Sequence, residues 1–317
     1  MAVRIELDGQ YRQLREECGL LDRSERGKLL VSGAEAAEYL QGQLTNDVEA
    51  LEPGRGCYAA FLTPKGKMLG DIRILDVGGE LLLDTERVAL QELFNLIRRF
   101  SIGYDVQLHK RTLQCGLLSL IGPEAIAVAG AGELGAAEDA HMPAAVDGIP
   151  VRFIRTDLGV DLLCDAADTG KLAAAVTARG ARPVSEAVAE CVRVEHGRPR
   201  YGVDLDDSVI PQEANLNDRA VSFTKGCYVG QETVARLFYR GKPNRSLRGL
   251  RLSAPASSGA EVRFGDRVVG KLGSVADSPA LGPVALALVR REALPGSAVT
   301  IGADEVEAVV VELPFEP

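Results

Sequence analysis

The chain has 317 residues, more than one typical domain, and 46% of them are hydrophobic, so it can bury a sizeable core and is not globally disordered. Its formal net charge is −9, from 36 basic and 45 acidic side chains, which makes a general phosphate-binding surface unfavourable. The N-terminus is polar, and the longest apolar run, residues 284–289, is too short to cross a bilayer. We therefore expect a cytoplasmic protein with no membrane contact and no direct nucleic-acid binding.

Apolar periodicity and turn residues predict a mixed chain of helices and strands up to about residue 240. The predicted strands lie at residues 27–31, 81–83, 117–122, 150–154 and 162–164. A further pair, on either side of a turn at residues 63–66, forms a hairpin that begins at Cys57. The predicted helices lie at residues 34–40, 88–100, 168–179 and 185–196, with Ser32 and Ser185 as caps of the first and last.

Two stretches carry less regular patterns. The Ala/Gly-rich segment 125–145 predicts one short helix and a loose surface loop. Beyond the Gly-Lys-Pro-Asn break at residues 241–244, short apolar or alternating runs separated by Gly, Pro and Asp predict a small all-β domain, a barrel of about six strands.

Polar residues at two turns are of the types that bind ligands. The Thr-Asn-Asp triplet at residues 45–47 could hydrogen-bond a heterocycle, but these residue types favour turn and cap bonds to the backbone. Asp204, Asp206 and Asp207 lack the glycine and spacing of an EF-hand loop, so we interpret them as solvated turn carboxylates. Arg193 and Glu195 are two residues apart on a helix, so each needs its own structural partner.

The cysteines do not form a metal-binding motif. The nearest pair, Cys164 and Cys191, is 27 residues apart, and there is no Cys-x-x-Cys. The sequence therefore predicts no self-contained zinc or ferredoxin-type site.

The segment 224–236, TKGCYVGQETVAR, has the most distinctive composition. Gly226 and Gly230 allow a tight turn, and helical spacing resumes near Gln231. Cys227 would then precede a helix N-terminus beside Lys225, an environment that stabilises a thiolate. The alternative is a buried structural cysteine in a Gly-rich turn.

The eight residues KGCYVGQE at 225–232, with Ala235 and Arg236, resemble the signature of the YgfZ family. These folate-binding proteins are related to the aminomethyltransferase of glycine cleavage (T-protein) and support iron–sulfur cluster assembly or repair, and thereby iron–sulfur enzymes such as those that modify tRNA. The Leu-Thr-Asn-Asp block at 44–47, the Arg-x-Glu-x-Gly-x-Pro block from Arg193, and the order of motifs after residue 270 extend the resemblance over most of the chain from about Gly27.

The resemblance implies an α+β, aminomethyltransferase-like fold: two mixed α/β (ferredoxin-like) domains plus a C-terminal β-barrel around a central cavity. The implied boundaries are residues 1–48 with 112–240 for a folate-binding domain, 49–111 for an inserted domain and 245–317 for the barrel.

It also implies a site. Cys227 would be the functional thiol, and the cavity between the domains would hold tetrahydrofolate or another folate. The candidate folate-binding residues are Lys225, Tyr228, Gln231, Glu232, Arg236, Asn46 and Asp47. The thiol could handle an iron–sulfur cluster transiently, with assembly or client proteins as partners and no resident metal.

Departures from the transferase pattern leave the activity open. Residues 156–161 lack the Tyr and Glu of a YTGE-like pterin contact, and Glu86 is a carboxylate near the place, after the strand 81–83, where the transferase would carry a catalytic Asp. These departures favour folate binding without glycine cleavage. The alternatives are a tetrahydrofolate-dependent aminomethyltransferase that acts on an amine substrate, and a non-catalytic interaction module.

Overall fold

A computed structural model describes residues 2–316, with side chains from residue 7 onward. Residue contacts divide the chain into two compact units. The first comprises Met1–Leu62, Leu69–Glu186 and Arg219–Val229, and the second comprises Thr63–Met68, Ala187–Asp218 and Gly230–Pro317.

The elements alternate along the chain up to residue 240 and are then all strands. The helices are α1 (Ala2–Glu16), α2 (Ala36–Gln43), α3 (Leu90–Phe100), α4 (Ala125–Ala129), α5 (Thr169–Ala178), α6 (Glu186–Glu195), α7 (Asn217–Ala220) and α8 (Gln231–Arg240). The strands are β1 (Gly19–Asp22), β2 (Gly27–Ser32), β3 (Gly56–Leu62), β4 (Met68–Asp76), β5 (Glu80–Thr85), β6 (Gln107–Lys110), β7 (Cys115–Ile121), β8 (His141–Val146), β9 (Ile149–Thr156), β10 (Gly159–Asp165), β11 (Arg182–Pro183), β12 (Arg245–Leu252), β13 (Glu261–Phe264), β14 (Arg267–Ser278), β15 (Gly282–Arg290), β16 (Ala298–Ile301) and β17 (Val306–Val311).

The first unit contains two sheets covered by helices. One has the order β11-β1-β7-β10-β9-β8, is antiparallel except for the β11–β1 pair, and packs against α4 and α5. The other has the order β3-β4-β5-β2-β6 and contacts α2 and α3. A buried cluster of Leu30, Leu75 and Leu82 from the second sheet includes Ile154 of β9, so the two sheets share apolar contacts.

Buried ion pairs also connect these sheets. On β4, Arg73 donates to Asp84 of β5 at 2.5 Å and to Asp161 of β10 at 2.7 Å, and Asp161 accepts from Ser119 at 2.6 Å. Arg26 reaches the other oxygen of Asp84 at 2.7 Å. Burial raises the pKa of Asp84, but the two guanidinium groups outweigh it and hold this pKa below its usual value. The carboxylate therefore stays ionised inside the unit.

The second unit is built on a closed barrel with the strand order β12-β15-β14-β13-β16-β17. Inward-facing residues such as Leu250, Val262 and Val310 fill it, as the alternation of apolar residues predicts. Val194 of α6 packs with Leu247 and Phe315 on its outer surface.

A second buried charge cluster attaches α6 to this barrel. Arg193 donates to Glu190 at 2.7 Å, to Asp204 at 3.1 Å and to Ser274 of β14 at 2.5 Å. The side chain of Asp204 is 0% exposed. Glu195 accepts from Ser278 instead, at 2.5 Å, so the prediction of separate partners for Arg193 and Glu195 is confirmed.

The predicted architecture, two α/β domains followed by a six-stranded barrel, is confirmed. Three local predictions are wrong. The hydroxyl groups of Ser32 and Ser185 do not cap: Glu35 occupies the cap position of α2, and the Ser185 hydroxyl is buried without a partner among the described residues. Segment 125–145 contains the strand β8, and Asp204 is buried rather than solvated. The three-domain boundaries remain a proposal.

Helix α1 was not predicted from the polar N-terminus. No helix within residues 2–316 combines the length and apolar character needed to cross a bilayer.

We expect Arg193→Ala to lower the free energy of unfolding by about 3–5 kcal/mol, because it leaves the fully buried Asp204 without its cation. Urea unfolding of the variant measures this. The matched control is Arg267→Ala, whose side chain is 70% exposed and pairs with Glu292, and a loss of at most about 1 kcal/mol is expected there. Equal losses in the two variants would contradict a structural role for the buried pair.

Candidate functional site

The turn after α2 is fixed to two other segments of the first unit by Thr45. This residue is 0% exposed. Its hydroxyl donates to the carbonyl of Ala220 at 2.5 Å and accepts from the amide of Ala60 at 2.8 Å. Its own carbonyl accepts from the amide of Ser222 at 2.9 Å. The turn therefore lies between β3 and the segment that leads to Cys227.

Asn46 and Asp47 use their side chains inside the same turn. Asn46 Nδ2 donates to the carbonyls of Tyr58 at 2.8 Å and Arg219 at 3.1 Å. Asp47 Oδ1 accepts from Gln41 Nε2 at 2.9 Å. These are the turn and backbone bonds that the residue types favour. A contact of Asn46 or Asp47 with folate stays a prediction.

Lys225 anchors the cysteine-bearing loop to this turn. Its Nζ donates to three main-chain carbonyls, those of Gln41 at 2.6 Å, Leu44 at 2.7 Å and Asn46 at 2.8 Å. An ammonium group has three N–H donors, so all of them are used. Burial lowers the pKa of Lys225 to about 8, while nearby Asp47 favours the charged form.

Cys227 is exposed between two buried neighbours. Lys225 is 8% and Tyr228 is 7% exposed, and Lys225 Nζ lies 5.3 Å from the centroid of the Tyr228 ring. Burial raises the pKa of Tyr228 to about 12. The loop is thus fixed on both sides of the cysteine while its thiol faces solvent.

The six cysteines differ in accessibility, and all lie within the described residues. Cys18, Cys164 and Cys191 are buried, and Cys57 and Cys115 are half-buried, which leaves Cys227 as the exposed thiol. Burial is the main cause that raises the pKa of Cys57 to about 12.

The second half of the signature belongs to the second unit. Gly230 has φ = +85°, which favours glycine, and α8 begins at Gln231, as predicted. Glu232 and Arg236 are exposed on this helix. The structure therefore brings together Lys225, Cys227, Tyr228, Asn46 and Asp47 in the first unit and places Gln231, Glu232 and Arg236 on α8. A folate contact for the latter three also stays a prediction.

Sequence analysis missed a hydrogen-bonded pair beside the Thr45 turn. The hydroxyl of Tyr58 on β3 donates to Asp71 of the neighbouring strand β4 at 2.6 Å. Asp71 is buried, and burial raises its pKa, against the effect of the Tyr58 hydrogen bond. Arg219 lies over the Tyr58 ring, with its guanidinium carbon 4.9 Å from the centroid. The register of the predicted hairpin could have placed Tyr58 and Asp71 together.

Asp139 is a second missed carboxyl group, and it lies within the Ala/Gly-rich segment 125–145. It is 6% exposed, and burial raises its pKa to about 7. Glu86, the carboxylate considered in the sequence, instead forms an ion pair with Arg26.

Among the side chains of residues 7–316, no group of three or more His, Cys, Asp or Glu residues is arranged to hold a metal ion.

Family models match nearly the whole chain. The GCVT N-terminal domain matches residues 6–225, and the glycine cleavage T-protein C-terminal barrel domain matches residues 245–316. The chain belongs to the glycine cleavage T-protein family. The predicted kinship with this superfamily is confirmed, and the narrower YgfZ assignment remains a proposal.

Several relatives support the assignment of the chain to this family. An aminomethyltransferase of Streptomyces avermitilis is 30% identical over 96% of this chain and 88% of its own length. One from Deinococcus deserti is 29% identical over 90% of this chain and 80% of its own. A chloroplastic protein of Arabidopsis thaliana, whose name gives it only as a candidate transferase, is 29% identical over 93% of this chain and 71% of its own.

A solved structure supports the fold. The glycine cleavage system aminomethyltransferase T from Bartonella henselae has a TM-score of 0.87 over 98% of this chain and 89% of its own, with 23% sequence identity. The aminomethyltransferase-like fold is therefore confirmed.

We expect Lys225→Met to lower the free energy of unfolding by about 1–3 kcal/mol, because three carbonyls lose their shared donor. Amide hydrogen exchange in residues 222–229 should also accelerate. The control is Lys171→Met, which removes an exposed lysine that pairs with Asp168. Unchanged exchange in the Lys225 variant would show that the loop is fixed by other contacts.

Proposed function

We propose that this protein binds tetrahydrofolate and serves as an accessory protein for iron–sulfur cluster assembly or repair, with Cys227 as its functional thiol. The observation that carries the proposal is the exposure of Cys227 on a loop whose flanking residues Lys225 and Tyr228 are buried. Such a thiol is held in place and yet can be reached by another protein. Its clients would include iron–sulfur enzymes such as those that modify tRNA.

A buried hydrogen-bond acceptor in the first unit supports folate binding. Gln43 Oε1, at the end of α2, is buried and has no hydrogen-bond partner among the described residues. A buried acceptor without a donor is costly, and the N–H groups of a pterin ring would supply donors. Tyr228 would contribute to the apolar wall of this site, with Asn46 and Asp47 close to it. Bound folate would supply a carrier for one-carbon units.

Lys225 has a positional role in this proposal. Its three N–H groups are occupied by the carbonyls of Gln41, Leu44 and Asn46, so it orders the turn and the loop instead of donating to a ligand. It remains a positive charge near the anionic parts of a bound folate.

An iron–sulfur cluster would be a transient cargo. Thiolates are the usual ligands of cluster iron. Cys227 would supply one ligand, and the others would come from an assembly or client protein or from a small thiol.

The decisive test is complementation of a strain that lacks its own homologue, with iron–sulfur enzyme activity as the readout. We expect Cys227→Ala to fail to restore this activity while it binds tetrahydrofolate within a few-fold of the wild type, because the Cys227 side chain is exposed. Cys115→Ala, which removes a half-buried thiol, is the control and should restore activity.

Equal rescue by Cys227→Ala and the wild type would reject a chemical role for the thiol and favour the non-catalytic interaction module. Absence of folate binding by the wild type would reject the ligand. These two results are independent of each other.

Asp71 favours a second candidate function, transfer of a one-carbon unit from an aminomethyl donor to tetrahydrofolate with release of ammonia. A buried carboxyl group with a raised pKa, oriented by the Tyr58 hydroxyl, is suited to proton transfer.

If this protein is a transferase, Asp71→Asn should lower the rate of one-carbon transfer by about 10²–10⁴-fold, because the variant cannot accept a proton. Tetrahydrofolate binding should persist, since asparagine keeps the size of the side chain and an acceptor for Tyr58. Formation of methylenetetrahydrofolate from an aminomethyl donor measures the rate. No turnover by the wild type would remove this candidate.

A further inference from the structure

A groove crosses the outer face of the C-terminal barrel, within the second unit. It has a volume of about 580 Å³, and residues of the four strands β12, β17, β16 and β13 line it. These strands lie side by side in the barrel, so the groove spans three interstrand spacings, or about 14 Å. Its volume falls in the range of about 300–1,000 Å³ that is typical of small-molecule sites.

The floor of the groove is apolar. Val309 of β17 lies opposite Ala298 of β16 on one side and opposite Arg251 of β12 on the other, so the three side chains form one row across the strands. Val309 is 43% exposed, and the methyl group of Ala298 is too short to cover it. The outer face of an antiparallel sheet is normally polar, so this row leaves hydrophobic surface open to a ligand.

Arg251 places a positive charge at one end of this row. Within residues 7–316 it donates to the main-chain carbonyl of Glu316 and forms no ion pair with a carboxylate. A carbonyl oxygen carries no net charge, so the guanidinium group is not neutralised, and it keeps further N–H donors for a ligand. The planar arrangement of these donors matches a carboxylate.

The opposite side of the groove does not favour an anion. Arg263, which lines it there, donates to Glu261 at 2.6 Å, so its charge is already paired. Glu307 adds a negative charge to the lining of the groove. A neighbouring cavity of about 590 Å³ also contains Arg263, but Glu261 and Asp304 line it as well. An anionic group is therefore expected at Arg251 and not at Arg263.

We propose that this groove binds a monocarboxylate with an apolar chain, such as a medium-chain fatty acid. The carboxylate pairs with Arg251, and the chain lies over Val309 and Ala298. Covering the exposed apolar row supplies the hydrophobic part of the affinity, and the guanidinium group selects an anionic head group. The lining belongs to the second unit, whereas the loop with Cys227 belongs to the first, so the proposal is independent of folate binding and of the thiol.

The test uses the full chain and a fluorescent probe, undecanoic acid that carries a dansyl group at the end opposite to its carboxylate. The wild type should bind the probe with saturation. Arg251→Gln should weaken binding by about tenfold, because a charge-assisted hydrogen bond is lost. Ala298→Phe should weaken it by at least about tenfold, because the ring fills the groove.

Matched variants separate the groove from general effects of charge and surface. Glu307→Gln should strengthen binding by about two- to threefold, since it removes a repulsive charge. Arg263→Gln should change the affinity less than Arg251→Gln does, because Glu261 already pairs with Arg263. Val275→Phe adds the same ring at an exposed valine of β14 outside the groove and should leave the affinity unchanged. Urea unfolding of Arg251→Gln and Ala298→Phe should confirm that both variants are folded.

The methyl ester of the probe tests the role of the charge. It should bind the wild type at least about tenfold more weakly than the acid does, and it should bind Arg251→Gln as well as it binds the wild type. Equal affinity of the acid for the wild type, Arg251→Gln and Ala298→Phe would refute the proposal, as would the absence of saturable binding. An ester that binds as tightly as the acid would refute the anionic head group. Tetrahydrofolate binding should be unchanged in all these variants, so failure of the groove leaves the proposed function standing.

Discussion

The ammonium group of Lys225 is the constraint on which the candidate site depends. Two of its acceptors, the carbonyls of Gln41 and Leu44, lie at the C-terminal end of α2, where a helix leaves carbonyls without intrahelical donors. A cation is favoured there by the helix dipole. The third acceptor, the carbonyl of Asn46, belongs to the following turn. One side chain therefore caps a helix, orders a turn and fixes the loop that presents Cys227.

The interior of the first unit contains several buried charged or ionisable side chains. Arg73 and Arg26 keep Asp84 ionised, whereas at Asp71 and Asp139 burial outweighs the nearby cations and raises the pKa values. Carboxyl groups in one unit therefore differ in protonation behaviour according to their partners. Such differences in protonation suit a site that recognises a neutral heterocycle and excludes water. A protonated carboxyl group can donate a hydrogen bond, and an ionised one can only accept.

The elements with strong periodicity could be predicted from the sequence, and the contacts between them could not. The hairpin at β3 and β4, the start of α8 and the barrel follow from alternation and turn residues. Strand β8 was missed because Pro143 and two alanines are poor strand formers, and they are tolerated where the strand lies at a sheet edge. Asp204 was misjudged because only tertiary structure shows that Arg193 and Ser274 reach it.

In the candidate site, too, the local segment could be predicted from the sequence and its long-range contacts could not. The KGCY segment predicted the position of the loop before α8. Nothing in the sequence shows that Lys225 would donate its hydrogen bonds to carbonyls about 180 residues away. Solvent exposure distinguishes the side chains of the two proposed functions, cluster handling by Cys227 and proton transfer by Asp71. Exchange of a cluster with another protein requires an accessible sulfur, as at Cys227, whereas proton transfer to a bound substrate gains from burial, as at Asp71. The Cys227 thiol and the Asp71 carboxyl group occupy different environments within one unit. Loss of a transferase activity would therefore not require loss of folate binding or of the thiol. A relative of the aminomethyltransferases could keep the ligand while its chemistry moved to the exposed sulfur.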